Sequence, residues 1–332
     1  MQSQTVLIEK KKKITESINL HNRLGSALWR LPTEVLSEIF IHCLPETSHP
    51  TSALAPMLLT VICRRWREVA MDMPNLWCRL LLKVCGDWQR KVLCYDSWLK
   101  RSRGLPLSLV FHCYAHNSTW LVRNLLRPYI NEIVSLAVFA VRLIDKPERM
   151  AAYLPALQEL TLSTVGCGLP VPTTGHSFSP NLRSLTVIGP LFDLGIISSF
   201  NPVWSHLTHV NLAMRHLNAF FHLLHLCFAL SSSKICIIHN RTQALEPFTH
   251  AKLQALHINS GTNCLPDLFN ALSLPDLRIL NVSYSQTWHH KEFMAFLMRS
   301  NCPLERIFGL GVTMTDEQRA ECVALIPSLQ TV

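Results

Sequence analysis

Glycine is scarce in this 332-residue chain, at 11, and charged residues make up only 16% of it. Neither G-x-G-x-x-G nor G-x-x-x-x-G-K-[ST] occurs, so no backbone cradle for a dinucleotide or a nucleoside triphosphate is expected. There is no G-x-S-x-G elbow to raise a serine nucleophile. The 12 cysteines include no C-x-x-C pair, which excludes the zinc module of a self-sufficient RING ligase. Cysteines spaced singly, in a chain long enough to need no stapling, read as reduced, buried, small hydrophobes of a cytoplasmic or nuclear protein. No basic segment leads into an apolar run at the start of the sequence. The longest apolar stretch, Leu217 to Leu230, is interrupted by Asn218, His222 and His225 and falls short of the ~20 residues that span a bilayer. Neither a secretory signal nor a membrane partner is expected.

What remains is a greasy chain, 48% hydrophobic, with a net charge of +9 that falls mostly in residues 1–104. Because the basic excess is confined to the first third, no long phosphate-gripping face and no nucleic-acid partner are expected. Lys10 to Lys13 fit either a nuclear-import patch or a solvated end. Residues 1–30 read as a polar segment, helical or flexible, and residues 31–82 carry two amphipathic patterns. In the first, Pro32 can open a helix, Val35, Leu36, Ile39, Phe40, Cys43 and Leu44 line one face, and Pro45 ends it. In the second, Leu58, Val61, Ile62, Cys63, Trp66, Val69 and Ala70 trace a stripe that Pro74 closes.

From Leu105 onward the chain repeats itself. The unit is L-x-x-L-x-L, seen at Leu157/Leu160/Leu162, Leu182/Leu185/Val187, Leu207/Val210/Leu212, Leu253/Leu256/Ile258 and Leu277/Leu280/Val282. Successive first leucines lie 25, 25, 46 and 24 residues apart, so one unit is missing from the long gap, and Ser232/Ile235/Ile237 is the nearest fit. Ile133/Leu136/Val138 extends the register upstream, and Leu304/Ile307 and Leu329/Val332 extend it downstream. A proline recurs just before the unit, in Leu154-Pro155, Ser179-Pro180, Leu274-Pro275, Cys302-Pro303 and Ile326-Pro327, which suits a corner ahead of a short strand. A unit of ~25 residues cannot bury its own apolar face, so neighbours must stack into a solenoid. The position three residues past each unit is asparagine only at Asn240, so a continuous asparagine ladder is absent and the coils are expected to be irregular.

Leu31-Pro32-Thr33-Glu34-Val35-Leu36-Ser37-Glu38-Ile39-Phe40, continued by Val61-Ile62-Cys63-Arg64-Arg65-Trp66-Arg67 and Pro74-Asn75-Leu76-Trp77, resembles an F-box. Trp98-Leu99-Lys100-Arg101-Ser102 followed by Leu105-Pro106-Leu107-Ser108-Leu109 resembles the continuation seen in large fungal sets of F-box proteins that carry a leucine-rich-repeat-like tail. The resemblance implies an α/β chain: a three-helix adaptor-binding module over 31–82, a linker over 83–104, and an irregular leucine-rich-repeat solenoid over 105–332. It also implies docking on the Skp-type adaptor of a cullin-RING ubiquitin ligase, with the tail capturing a protein substrate. The module's core and adaptor face would be formed by Leu31, Pro32, Leu36, Ile39, Phe40, Val61, Cys63, Trp66 and Trp77. The bottom-up reading agrees on mechanism, because two short amphipathic helices with Trp66 and Trp77 hold more apolar surface than ~45 residues can hide alone. Strand positions between the leucines, such as Gln158, Glu159, Arg183, Thr208, His209, Gln254 and Arg278, are candidates for the target face.

Sixteen histidines raise the question of a metal. The spacings His206-x-x-His209, His222-x-x-His225-x-Cys227 and His289-His290 place donors near one another. No H-E-x-x-H occurs, however, and no carboxylate lies between Arg215 and Arg241 to complete a site. No metal, cofactor-binding or catalytic residues are expected. An enzyme is not expected either.

Overall fold

Alternation of covered and open positions, as expected of a strand with one face against a core, recurs through the chain and builds one large sheet. A computed structural model describes residues 9–18, 31–45, 50, 54–85, 88–113, 122, 124–140, 154–164, 179–199, 204–238, 245–260, 263–283, 288–310, 314–326 and 330–331. The fold is α/β. The sheet runs β1 (Arg79–Val84), β2 (Leu107–Cys113), β3 (Ile133–Ala140), β4 (Glu159–Thr164), β5 (Ser184–Phe192), β6 (His209–Met214) and β7 (Ser232–Ile237), then β9 (Ala255–Ser260), β11 (Ile279–Ser283), β12 (Arg306–Leu310) and β13 (Gln330–Thr331). Every neighbouring pair is parallel. Two short strands, β8 (Phe248–Thr249) and β10 (Leu272–Ser273), pair with each other away from it. Sheet order therefore follows chain order, and each strand must be joined to the next by a crossover.

The crossovers that carry helices stack them on one face only. Leu217–Leu226 returns the chain from β6 to β7, and His290–Ser300 returns it from β11 to β12. Beneath them, Leu160, Leu162, Leu185, Val187, Val210, Leu212, Leu256, Ile258, Leu280 and Val282 are all buried, so the repeated leucine positions form the core. Phe269 lies 5.3 Å from Phe293 and 5.4 Å from Phe296, ring to ring, filling the space between two helices. The apolar stretch from Leu217 is thus a ten-residue core helix. No helix among the described residues is long and apolar enough to cross a membrane.

Five of the corners are tight turns. Leu157, Leu182, Leu207, Leu230 and Leu277 donate their amides to the carbonyls of Leu154, Ser179, Trp204, Cys227 and Leu274, three residues back. Proline suits the second place of such a turn, which explains Pro155, Pro180 and Pro275. Successive turns are tied by backbone rather than by asparagine. The carbonyls of Gln158, Arg183, Thr208, Ser231, Gln254 and Arg278 each accept from two consecutive amides of the following coil. Thr208 and Ser231 add their hydroxyls to the carbonyls of Arg183 and Thr208.

Register corrects the assignment of the missing unit. Ser233 pairs with both Val210 and Leu256, and Ile235 with Leu212 and Ile258. The unit in the long gap is therefore Leu230/Ser233/Ile235, dividing the gap into two steps of 23 residues, and Ser232/Ile235/Ile237 is out of phase with it. The pattern was masked because serine occupies a leucine position. Ser233 is fully buried and its hydroxyl lacks a partner among the described residues. An unmet buried hydroxyl costs about 1–3 kcal/mol, so Ser233→Ala is expected to raise stability by roughly 1 kcal/mol in chemical denaturation; a loss of stability would contradict this. At the far end, Leu329 and Val332 lie outside the described residues.

The sheet also begins earlier than Leu105. Trp77, Leu80 and Leu82 are buried in the spacing of the later units, and Leu80 and Leu82 pair with Leu109 and Phe111 of β2. Residues 83–104, expected as a linker, hold the end of β1 and the helix Trp88–Arg101. Tryptophan in place of the first leucine hides this unit from the L-x-x-L-x-L template.

Candidate functional site

Two surfaces are left uncovered by the packing just described, one on the helices ahead of β1 and one on the sheet. The helices Thr33–His42, Met57–Ile62 and Arg64–Asp72 precede the short turn Pro74–Trp77. The single stripe expected from Leu58 to Ala70 is broken at Cys63, whose backbone is extended at φ −155° and ψ 170° and whose Sγ accepts from the Trp66 amide at 3.4 Å. That contact satisfies a free amide at a helix start, so the stripe becomes two helices.

Trp77 fastens these helices to the sheet. Its indole N–H donates to the Ala70 carbonyl at 2.8 Å, its ring meets the edge of Trp98 at 5.0 Å, and Arg101 lies over it at 4.6 Å. Trp98 in turn donates to the Trp77 carbonyl at 3.0 Å. Phe40 reaches the same core and stands 5.0 Å from the half-buried Trp66. The Pro50 carbonyl accepts from the Leu81 amide at 3.0 Å, which shields the outer edge of β1 from stray pairing.

The nine residues assigned to the adaptor face divide by burial. Leu36, Phe40 and Trp77 are fully buried and belong to the chain's own core. Leu31, Cys63 and Trp66 are half-buried, while Pro32, Ile39 and Val61 are exposed. The first three cannot touch a partner without unfolding. The exposed ones have neighbours that the assignment missed: Val35 beside Ile39 on one helix, and Leu58 and Ile62 beside Val61 on the other. Val61 is 65% exposed and Ile62 57%, high values for β-branched aliphatic residues. The signal was present in the width of both stripes, since apolar residues at successive positions such as Val35-Leu36 and Val61-Ile62 cannot all face one core.

The three arginines of this region are engaged locally. Arg64 pairs with Glu68 at 2.8 Å, Arg65 donates to the Leu31 carbonyl, and Arg67 donates to the Thr60 carbonyl at 2.7 Å. Two of them clamp helix ends, and none is arranged as a phosphate-binding row.

The second surface is the uncovered face of the sheet. Its middle row reads Leu81, Val110, Ala137, Thr161, Thr186, Asn211, Lys234, His257, Asn281 and Phe308 in register; Val110 is buried, Lys234 is exposed and the others are half-buried. The expected target-face positions Gln158, Glu159, Arg183, His209, Gln254 and Arg278 are exposed, and Thr208 is half-buried. Arg278 is paired with Glu305 at 2.6 Å. Burial, then the charge of Lys83, holds the His112 imidazole below its usual range; burial, then Lys234, does the same to His257.

The histidine spacings do not converge. His222 meets Ser198 at 3.1 Å, and the His225 ring packs at a tilt against Phe248, centroids 3.9 Å apart. The Cys227 thiol is pushed up to about 12 by burial. His289 bonds Asn263 at 2.5 Å and His290 bonds Glu321 at 2.7 Å. No group of three or more metal-ligating side chains stands together among the described residues. No family model matches the chain, and no curated protein is significantly similar to it.

Proposed function

We propose that the chain is the substrate-recognition subunit of a Skp-cullin-F-box type ubiquitin ligase. The helices of 31–77 would act as an F-box-like module that docks the Skp-type adaptor. The sheet and its helices would be the leucine-rich-repeat-like solenoid that holds a target. The observation that carries this reading is the set of exposed aliphatic side chains on helices Thr33–His42 and Met57–Ile62, which need a cover and sit on the segment that resembles an F-box. Full burial of such a side chain from full exposure is worth about 1.5–3 kcal/mol, and since each is already about half covered, a partner would gain roughly half of that per residue.

The chain itself would perform no bond chemistry. Its contribution would be to hold a target lysine near a charged ubiquitin, turning an encounter into an intramolecular event at high effective concentration. Cytoplasm and nucleus both suit that role. The test is ubiquitin transfer to captured proteins in a reconstituted ligase. Transfer that depends on residues 31–77 is the expected result. Capture of a partner without adaptor binding or ubiquitin transfer would make the chain a scaffold acting outside any ligase, and would contradict the proposal.

A further inference from the structure

The uncovered sheet face changes chemistry along its length. From β1 to β5 the middle row is aliphatic or hydroxylic, ending in Thr161 and Thr186. Across β6, β7, β9, β11 and β12 it becomes Asn211, Lys234, His257, Asn281 and Phe308, and the row beside it reads His209, Ser232, Ala255, Ile279 and Arg306. No carboxylate stands in either row of this five-strand section. Glu305, next to Arg306 in the chain, is spent on Arg278 at 2.6 Å. Lys234 and Arg306 are exposed and are left as cations of one sign. The field of Lys234 reaches across the strand to His257, whose imidazole it helps keep neutral after burial.

Such a face repels basic partners and attracts acidic ones. Strands lie ~4.8 Å apart and an extended chain advances ~3.3 Å per residue, so Lys234 and Arg306, three strand spacings apart and offset by two residues along the strands, match acidic groups roughly five residues apart. Asn281 on β11 supplies a hydrogen-bonding group between them, with Ser232 beside Lys234 on β7 and Asn211 beyond it on β6. A nucleic acid fits less well. Its phosphates need a dense row of cations and its bases need stacking platforms, whereas Phe308 is the one aromatic ring besides imidazoles in these two rows.

We propose that the sheet face across β6, β7, β9, β11 and β12 binds an extended acidic polypeptide segment of the captured target, anchored by Lys234 and Arg306. This rests on the receptor reading above and names the class of its target. The probe is a fluorescently labelled decaglutamate peptide titrated onto the full chain by anisotropy, with decaglutamine and a ten-nucleotide oligothymidylate as comparisons. Decaglutamate is expected to bind, to weaken as salt rises, and to bind at least tenfold more weakly to Lys234→Glu/Arg306→Glu. Lys291→Glu, exposed on the crossover helix His290–Ser300, should leave binding unchanged. If the charge reversal disturbs folding, Lys234→Gln/Arg306→Gln is read instead, with a threefold or greater loss expected at an unchanged melting midpoint. The assignment is overturned if decaglutamate does not bind, if decaglutamine binds equally well, if the variants bind like the parent, or if oligothymidylate binds more tightly than the peptide. Adaptor capture is measured on the same samples. Its absence beside intact peptide binding would support this face while rejecting the ligase role; its presence beside absent peptide binding would reject the acidic segment alone.

Discussion

Trp77→Ala is expected to cost about 3–5 kcal/mol of stability in chemical denaturation, the range for removing a fully buried tryptophan. The side chain has no exposed surface. It is the joint between two bodies of structure: the indole N–H holds the Ala70 carbonyl, while the ring packs on Trp98 and carries Arg101. Removing it leaves a cavity, strands the Ala70 carbonyl, and uncouples helix Arg64–Asp72 from β1. The first region to lose protection should therefore be residues 31–77. Trp66→Ala should cost distinctly less, because Trp66 is only half-buried. A loss below about 1 kcal/mol for Trp77→Ala would mean that the helices and the sheet do not share a core.

The second large effect is on docking and should leave folding intact. Ile39→Asp/Val61→Asp places charges at exposed positions, where substitutions away from special features change stability by about 0.5 kcal/mol or less. In an interface the same carboxylates would be buried without partners. Adaptor affinity is expected to fall more than 100-fold, about 2.7 kcal/mol, when measured by calorimetry with a Skp-type adaptor. Leu36→Asp and Phe40→Asp are the contrasting pair: both side chains are fully buried, so these variants should lose fold and docking together. Equal loss of fold in the two pairs would contradict the division of the nine residues into core and surface.

How far the sequence disclosed this arrangement can be judged residue by residue. Leucines at i, i+3 and i+5 announced the covered face of β4, β5, β6, β9 and β11, because each such position must meet a core and few residues pack there as well. Two units escaped. At Ser233 and Trp77 the leucine is replaced by a residue that a pattern search discounts, and only strand register reveals the equivalence. The doubled backbone rungs at Gln158 through Arg278 were invisible for a different reason: they involve no side chain. On the helices, the periodicity revealed that apolar stripes exist but not how wide a covered face would be. Leu36 and Phe40 went inward, while Val35 and Ile39, on the same helix, stayed out. The section of basic and amide side chains from β6 to β12 is scattered over a hundred residues of sequence and gathers only through parallel pairing.

Hydrogen–deuterium exchange of the full chain, with and without a saturating Skp-type adaptor, tests the central claim most directly. Docking through the exposed aliphatic faces predicts new protection at residues 33–42 and 57–62, with strands β6 to β12 unchanged. Unaltered exchange throughout residues 31–77 at saturating adaptor would contradict it.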